Sequence, residues 1–348
     1  PKPNPESNTA IRLYATVSIW RQGECYWTAL RHRRNIVPLC RLIAHPINCH
    51  YQMNVATLPR LLRCDQWIKN LFVLAPAFFG GVLLDASLWG GLVVAFLAFS
   101  LLSSSIYIVN DIVDQARDRL HPKKRLRPIA SGAVSIPVAW TIAALLLILA
   151  VALPLALLPR ALWCQTLGIM GGYWLLNVCY SYWLKRIAVV DVVSISVGFV
   201  LRVLLGGVVA GVVVSEWLVV MTLLLSLFLA LAKRRDDYLI YERSGVAMRQ
   251  AIKGYNRPFL DHTLTMIVGV LLICYLLYTL SAEVHAEPGG DYLYLTALPV
   301  LVGLLRYLQI TLVEERSGSP TQVVYRDAII GICVVVWGVL FGLLRYVV

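Results

Sequence analysis

Residues 110–132 read NDIVDQARDRLHPKKRLRPIASG, a stretch holding three aspartates and six lysines or arginines. Apolar runs at about 88–110 and 134–158, each long enough to span a bilayer, lie on either side of it. On a helix at about 100° per residue, Asn110, Asp111, Asp114 and Asp118 fall within roughly a 100° arc. The preceding span is thus expected to end in a wall of hard oxygen atoms. Such oxygens suit Mg²⁺, which takes a few carboxylates and shares its other positions with water and substrate phosphates. Three carboxylates this close repel one another unless a cation lies among them. A merely solvated helix end needs no such stripe beginning where the span stops. Directly downstream come His121, Lys123, Lys124, Arg125 and Arg127. A basic loop serves topology, and cations following an oxygen stripe also suit capture of a diphosphate. His121 alone is a candidate general base, against the plainer reading of a local structural hydrogen bond.

The rest of the chain agrees with a membrane setting. Of its 348 residues 59% are hydrophobic and 14% charged, whereas a soluble domain is roughly one quarter charged. The expected fold class is all-α: a polytopic membrane protein of nine transmembrane helices with a polar cytoplasmic cap. The candidate spans are approximately 68–84, 88–110, 134–158, 161–184, 189–213, 215–232, 259–281, 291–313 and 327–348. The first is short, and Leu58, Leu61, Leu62 and Trp67 ahead of it make an interfacial helical face. Pro76, Pro154 and Pro299 are expected to bend helices locally. The net charge of +12 lies mainly in loops between spans, where it sets topology, so nucleic acid is not an expected partner. Eight cysteines without a CxxC pair support neither a disulfide framework nor a zinc site. Residues 1–57 are expected to be a basic N-terminal tail or a non-native extension, and 58–348 the transmembrane domain. Residues 1–52 hold seven Lys/Arg against two Glu and no apolar run of spanning length.

Charge alternates between loops. Segments 111–133 and 233–257 carry six and seven Lys/Arg, whereas 282–290 has acid and no base. The positive-inside rule therefore puts the loops after spans 2, 4, 6 and 8 in the cytoplasm, so the polar clusters share one side. The second cluster is LAKRRDDYLIYERSG (231–245), with Lys233, Arg234, Arg235, Asp236, Asp237 and Tyr238. It has fewer carboxylates at helical spacing and suits an anionic group better than a second full metal site. Gln66, Lys69, Asn70, Tyr180, Lys185 and Asp191 add smaller polar features. Arg202 lies inside a span, where an arginine usually faces a polar cavity or a carboxylate, with Asp191 as its expected partner.

The pattern ND-x-x-D-x-x-x-DR followed by H-P-x-K-R-x-RP-I-A-S-G resembles the first aspartate-rich motif of the UbiA superfamily of membrane-embedded prenyltransferases. Within that superfamily the chain is most similar to the decaprenyl-phosphate phosphoribosyltransferase branch. QWIKNLFVLAP (66–76), 107–132, LKRIAVVDVVSISVGFVLRVLLGGVVAG (184–211), the AKR and ERSG sequences and YRDAII (325–330) carry that similarity, which covers about 58–348. One departure is KRRDD, which stands where the superfamily has a second run of aspartates; Asp237 is its best-placed carboxylate.

The resemblance implies Mg²⁺-dependent transfer of 5-phosphoribose from 5-phosphoribosyl 1-diphosphate to a polyprenyl (decaprenyl) phosphate, supplying arabinofuranose for cell-envelope glycans. It implies metal ligation by Asn110, Asp111, Asp114 and Asp118, and catalytic roles for Asp111, Asp114, Asp118 and Asp237. Asn110, Asp114 and Asp118 match the motif well, and Asp111 less directly. Candidate substrate-binding residues are Gln66, Lys69, Asn70, Arg119, Lys123, Lys124, Arg125, Arg127, Tyr180, Lys185, Asp191, Arg202, Lys233, Arg234 and Tyr238. The expected partners are the soluble donor, the lipid acceptor and membrane lipids in the plasma (inner) membrane, with homo-oligomerisation left open. Two other readings stand beside this one. A prenyltransferase would use a prenyl diphosphate and an aromatic acceptor at the same stripe. A transporter would line a route through the bilayer, which one-sided clusters do not.

Overall fold

The computed structural model describes residues 16–21, 24–29, 57–120, 124–245, 249–287, 289–315, 323 and 326–347. The chain divides into two units, Pro1–His50 and Tyr51–Val348. In the first, strands β1 (Thr16–Arg21) and β2 (Glu24–Ala29) pair antiparallel, Thr16 opposite Ala29. The described residues of the second unit form helices and connecting turns. They begin with α1 (Leu58–Leu62), α2 (Ala75–Phe79), α3 (Ala86–Leu120), α4 (Ile136–Leu157) and α5 (Arg160–Tyr182). They continue with α6 (Val190–Ala210), α7 (Glu216–Ser244), α8 (Arg257–Thr279), α9 (Ala282–His285), α10 (Ala297–Leu312) and α11 (Ala328–Tyr346).

Among the described residues, seven helices are long and apolar enough to cross a membrane: α3, α4, α6, α7, α8, Gly290–Leu312 and α11. The expected span at 161–184 is α5, 23 residues long and carrying Gln165, Thr166, Asn177 and Ser181. The expected span at 68–84 takes another form. Cys64–Leu74 is a 3-10 helix, and the five-residue α2 follows it with Pro76 in its first turn. A 3-10 helix rises about 2.0 Å per residue against about 1.5 Å for an α-helix, so this short segment reaches further than its residue count suggests. Helices α3 and α7 also outrun the expected ends at 110 and 232, because their charged final turns stay helical. These extensions carry the two charged clusters beyond the apolar stretches of α3 and α7.

Three apolar clusters hold the bundle: one between α6, α7, α8 and α10, one between the 3-10 segment, α2, α3, α5 and α6, and one where α1 and residues 128–134 meet α3 and α4. Polar side chains lock the 3-10 segment to α3. Trp67 Nε1 donates to Ser104 Oγ at 3.0 Å, and Asn70 Nδ2 to Ser100 Oγ at 2.9 Å. Ser104 in turn donates to the Leu62 carbonyl at 2.8 Å, so the serine run of α3 is spent on neighbouring segments. On its other side the 3-10 segment presses on Gly206 of α6, where a Cβ would lie 1.9 Å from the Val73 carbonyl oxygen.

Gly206→Ala is therefore expected to destabilise the protein by about 1–3 kcal/mol through overpacking. Gly171→Ala, whose Cβ meets no atom within 4 Å, should leave stability unchanged or raised. Thermal unfolding in detergent micelles compares the two; equal melting temperatures would refute the close approach.

Candidate active site

The last three turns of α3 carry the stripe, and its members point into different surroundings. Asp111 is buried, 3% exposed, and pairs with Arg63 and Arg127. Arg63 reaches it because the backbone between α1 and the 3-10 helix turns through a left-handed residue, Arg63 itself at φ 51°. Arg127 Nη1 joins two carboxylates, lying 3.1 Å from Asp111 Oδ1 and 2.6 Å from Asp118 Oδ2. Lys185, between α5 and α6, bonds Asn110 Oδ1 at 3.2 Å and Asp114 Oδ1 at 2.7 Å. Each carboxylate is thus met by a cation from another segment, as mutual repulsion requires. Asn110, Asp114 and Asp118 line a cleft of about 90 Å³ together with Arg63, Lys124, Arg127, Lys185 and Arg249. Asp111 lies behind that wall.

The second cluster, on α7, adjoins this cleft through Arg249, which lines the cleft and comes within 3.9 Å of Asp237. Arg234, 1% exposed, pairs with Asp191 and, at 3.0 Å, with Asp237. Asp191 also accepts from Tyr255 Oη at 2.7 Å, and the same oxygen accepts from the Val189 backbone N–H at 2.7 Å. These bonds hold Val189 at φ 67°, a strained conformation for a β-branched residue, at the start of α6. Burial, followed by the bond to Asp191, raises the Tyr255 pKa, so the hydroxyl stays a donor. Arg249 links the halves of the site. Its Nη1 donates to Tyr180 Oη at 3.0 Å and its Nε lies 3.9 Å from Asp237. Lys124 feels Arg249, Asp118, Arg127 and Asp237 together, and burial lowers its pKa most. Burial likewise lowers the Lys185 pKa, against the opposing pull of Asp114. Arg249 and Lys124 therefore couple the cleft electrostatically to Asp237 of the second cluster.

Arg202 does not meet Asp191, contrary to expectation. Its Nε donates to Asn70 Oδ1 at 2.8 Å, Nη1 to the Gly198 carbonyl at 2.7 Å and Nη2 to Tyr173 Oη at 2.8 Å. The rings of Phe99, Tyr173 and Phe199 surround its guanidinium at 4.8–5.1 Å. Neutral acceptors and aromatic faces carry this buried charge, while Asp191 is satisfied by Arg234 and Tyr255. Lys69 and Lys233 differ from these committed cations: neither makes a hydrogen bond or ion pair with another described residue. Lys233 lies within electrostatic range of Lys69, Arg234, Arg249 and Asp237.

Other expected site residues stand apart from the cleft. Arg119 Nε holds the loop through the Ala130 carbonyl at 3.2 Å. Arg125 is exposed, Gln66 bonds its neighbour Asp65, and Tyr238 packs edge to face with Tyr241. His121 and Lys123 lie outside the described residues. Arg235 is fully buried and serves structure, bonding Asp261 at 2.5 Å and the Thr311 carbonyl at 2.6 Å. Sequence reasoning missed Arg63 and Arg249. The first belongs to a stretch read as interfacial, the second to a loop read as topogenic.

Residues 73–326 match the model of the UbiA prenyltransferase family. A decaprenyl-phosphate phosphoribosyltransferase from Corynebacterium glutamicum is 31% identical over 281 residues, covering 80% of this chain and 83% of the relative. One of the same name from Mycolicibacterium smegmatis is 31% identical over 297 residues, covering 81% and 90%. Among solved structures, a UbiA homologue from Archaeoglobus fulgidus bound to GPP and Mg²⁺ superimposes with a TM-score of 0.62 at 20% identity, covering 83% of this chain and 99% of that one. The fold, the multi-pass helices and these relatives agree: the chain is a membrane enzyme belonging to the UbiA prenyltransferase family.

Proposed function

We propose that the protein transfers 5-phosphoribose from 5-phosphoribosyl 1-diphosphate to a polyprenyl phosphate such as decaprenyl phosphate, releasing diphosphate. The carrying observation is the distribution of cations. One set lies against the Asn110–Asp118 stripe, and two further lysines, Lys69 and Lys233, make no ion pair with another described residue. A donor with phosphate at both ends of a sugar, joined by a phosphorylated acceptor, presents several anions; a prenyl diphosphate presents one diphosphate. The similarity to decaprenyl-phosphate phosphoribosyltransferases supports the same reading.

Among the described residues, no group of three or more His, Cys, Asp or Glu is arranged to hold a metal. Mg²⁺ needs less, because it keeps waters and binds through one or two carboxylates plus substrate phosphates. Asn110 Oδ1 and Asp114 Oδ1 already share one cation, the Lys185 ammonium, which supports their fitness for another. Asn110, Asp114 and Asp118 would hold Mg²⁺, with Asp111 keeping Arg63 and Arg127 in position behind them. When bound, the ion supplies charge neutralisation to the leaving diphosphate.

Lys124, Arg127 and Arg249 would meet the diphosphate oxygens from the other walls, and Lys185 could exchange its protein acceptors for them. They stabilise charge that grows as the ribose C1–O bond breaks and C1 gains oxocarbenium character. A lipid phosphate oxygen attacks C1 from the opposite face, giving an inverted, β-linked product. That oxygen is already anionic, so the step needs no general base. Lys69 and Lys233 would receive the 5-phosphate or the lipid phosphate, and Asp237 would keep Arg234 and Arg249 oriented. The positive-inside pattern supports a cytoplasmic site in the plasma membrane.

Purified protein given donor, polyprenyl phosphate and Mg²⁺ is expected to release diphosphate and form a phosphoribosyl lipid. Asp114→Asn and Asp118→Asn should each lower turnover by about 100-fold or more. An inactive wild type, or fully active variants, would sink the assignment, and turnover of a prenyl diphosphate with an aromatic acceptor would replace it. Lys69→Gln and Lys233→Gln should each raise KM for one phosphorylated substrate about tenfold, with kcat largely kept. Unchanged KM for both substrates in both variants would remove these lysines from phosphate binding.

A further inference from the structure

A second cavity, of about 280 Å³, opens at the other end of the bundle, where α6, α8 and α11 finish and α7 begins. Phe79, Val212 and Leu218 form an apolar wall; Glu283, Glu287 and Arg345 supply charge. Val213, 93% exposed, stands at the same rim. Helix ends, an exposed aliphatic side chain and charged groups together mark the level of lipid headgroups.

The charges are unequally spent. Arg345 Nη1 bonds Glu287 Oε2 at 2.8 Å, and its Nε is buried with no acceptor among the described residues. A guanidinium has five N–H donors in a planar fork that suits phosphate oxygens. The left-handed Gly81 lets this group pack closely, since a Cβ there would lie 3.1 Å from Arg345 Nε. Glu283 is exposed and makes no ion pair with another described residue. Two carboxylates against one guanidinium leave the cavity net negative, so a simple anion is disfavoured. A ligand carrying phosphate and a cation together satisfies both.

We propose that this cavity binds the headgroup of a phospholipid bearing both a phosphate and a primary ammonium, as in phosphatidylethanolamine. The phosphate engages Arg345, the ammonium engages Glu283, and the acyl chains leave past Val213 along the apolar wall. The site is separate from the carboxylate-lined cleft, and its ligand does not depend on the reaction proposed there.

Native mass spectrometry of the full chain tests this with phosphatidylethanolamine, phosphatidylcholine and phosphatidylglycerol titrated singly. Phosphatidylcholine keeps both charges without an N–H donor, and phosphatidylglycerol lacks the cation. Phosphatidylethanolamine is expected to be retained about fivefold better than either, and Glu283→Gln should erase that preference. Arg345→Gln should weaken retention of phosphatidylethanolamine and phosphatidylcholine alike. Because Glu283 is exposed, its variant is expected to fold even if the arginine variant does not, and wild-type thermal stability verifies that. Equal retention of the three lipids, preference for phosphatidylglycerol, or an unchanged preference in Glu283→Gln would overturn the proposal.

Discussion

Mutual repulsion among Asp111, Asp114 and Asp118 is the constraint from which the polar end of the bundle is built. One helix places three carboxylates within three turns, and the fold answers with Arg63, Arg127 and Lys185 from separate segments. Each cation fastens its own segment to α3. The turn after α1, the loop before α4 and the α5–α6 connection are all positioned by charge at one helix end. Removing a single partner from such a buried arrangement costs more than its contact is worth, because the remaining charge stays desolvated.

The same logic extends inward. Arg202 is 4% exposed, and it is held by Asn70, Gly198 and Tyr173 with three aromatic rings around it. Asn70 is also tied to Ser100, so Arg202 links α6 to the 3-10 segment and, through it, to α3. Lys69, the residue before Asn70, is thereby carried on a braced stretch of backbone. A cation with no ion pair to another described residue, on a fixed support, is a useful arrangement for phosphate, since the ammonium loses little additional freedom on binding.

Much of this was legible in the sequence. The helices, their order and the two charged helix ends follow from abrupt changes between apolar and ionisable residues. The Asn110–Asp118 stripe follows from helical spacing alone. Partnerships were harder to read, because they depend on which segments meet. Arg202 and Asn70 are 132 positions apart, and no local pattern favours that pairing over Arg202 with Asp191. Arg63 and Arg249 were hidden by their surroundings, where basic residues have an adequate explanation in topology. The 3-10 geometry of Cys64–Leu74 was equally hidden, since an eleven-residue run of that kind is uncommon.

That run has a consequence for how the segment tolerates change. At three residues per turn, side chains three apart eclipse one another, so Trp67, Asn70 and Val73 form one straight row and Gln66, Lys69 and Phe72 another. The first row meets Ser104, Ser100 and the core, while Phe72 of the second touches Phe199 at 5.0 Å. An inserted triplet would preserve both rows and merely slide them. Inserting one residue would rotate everything beyond it by a third of a turn, exchanging a lysine-bearing row for a core-bearing one. The phase of this segment, more than its hydrophobicity, decides which side chain the polar interior receives.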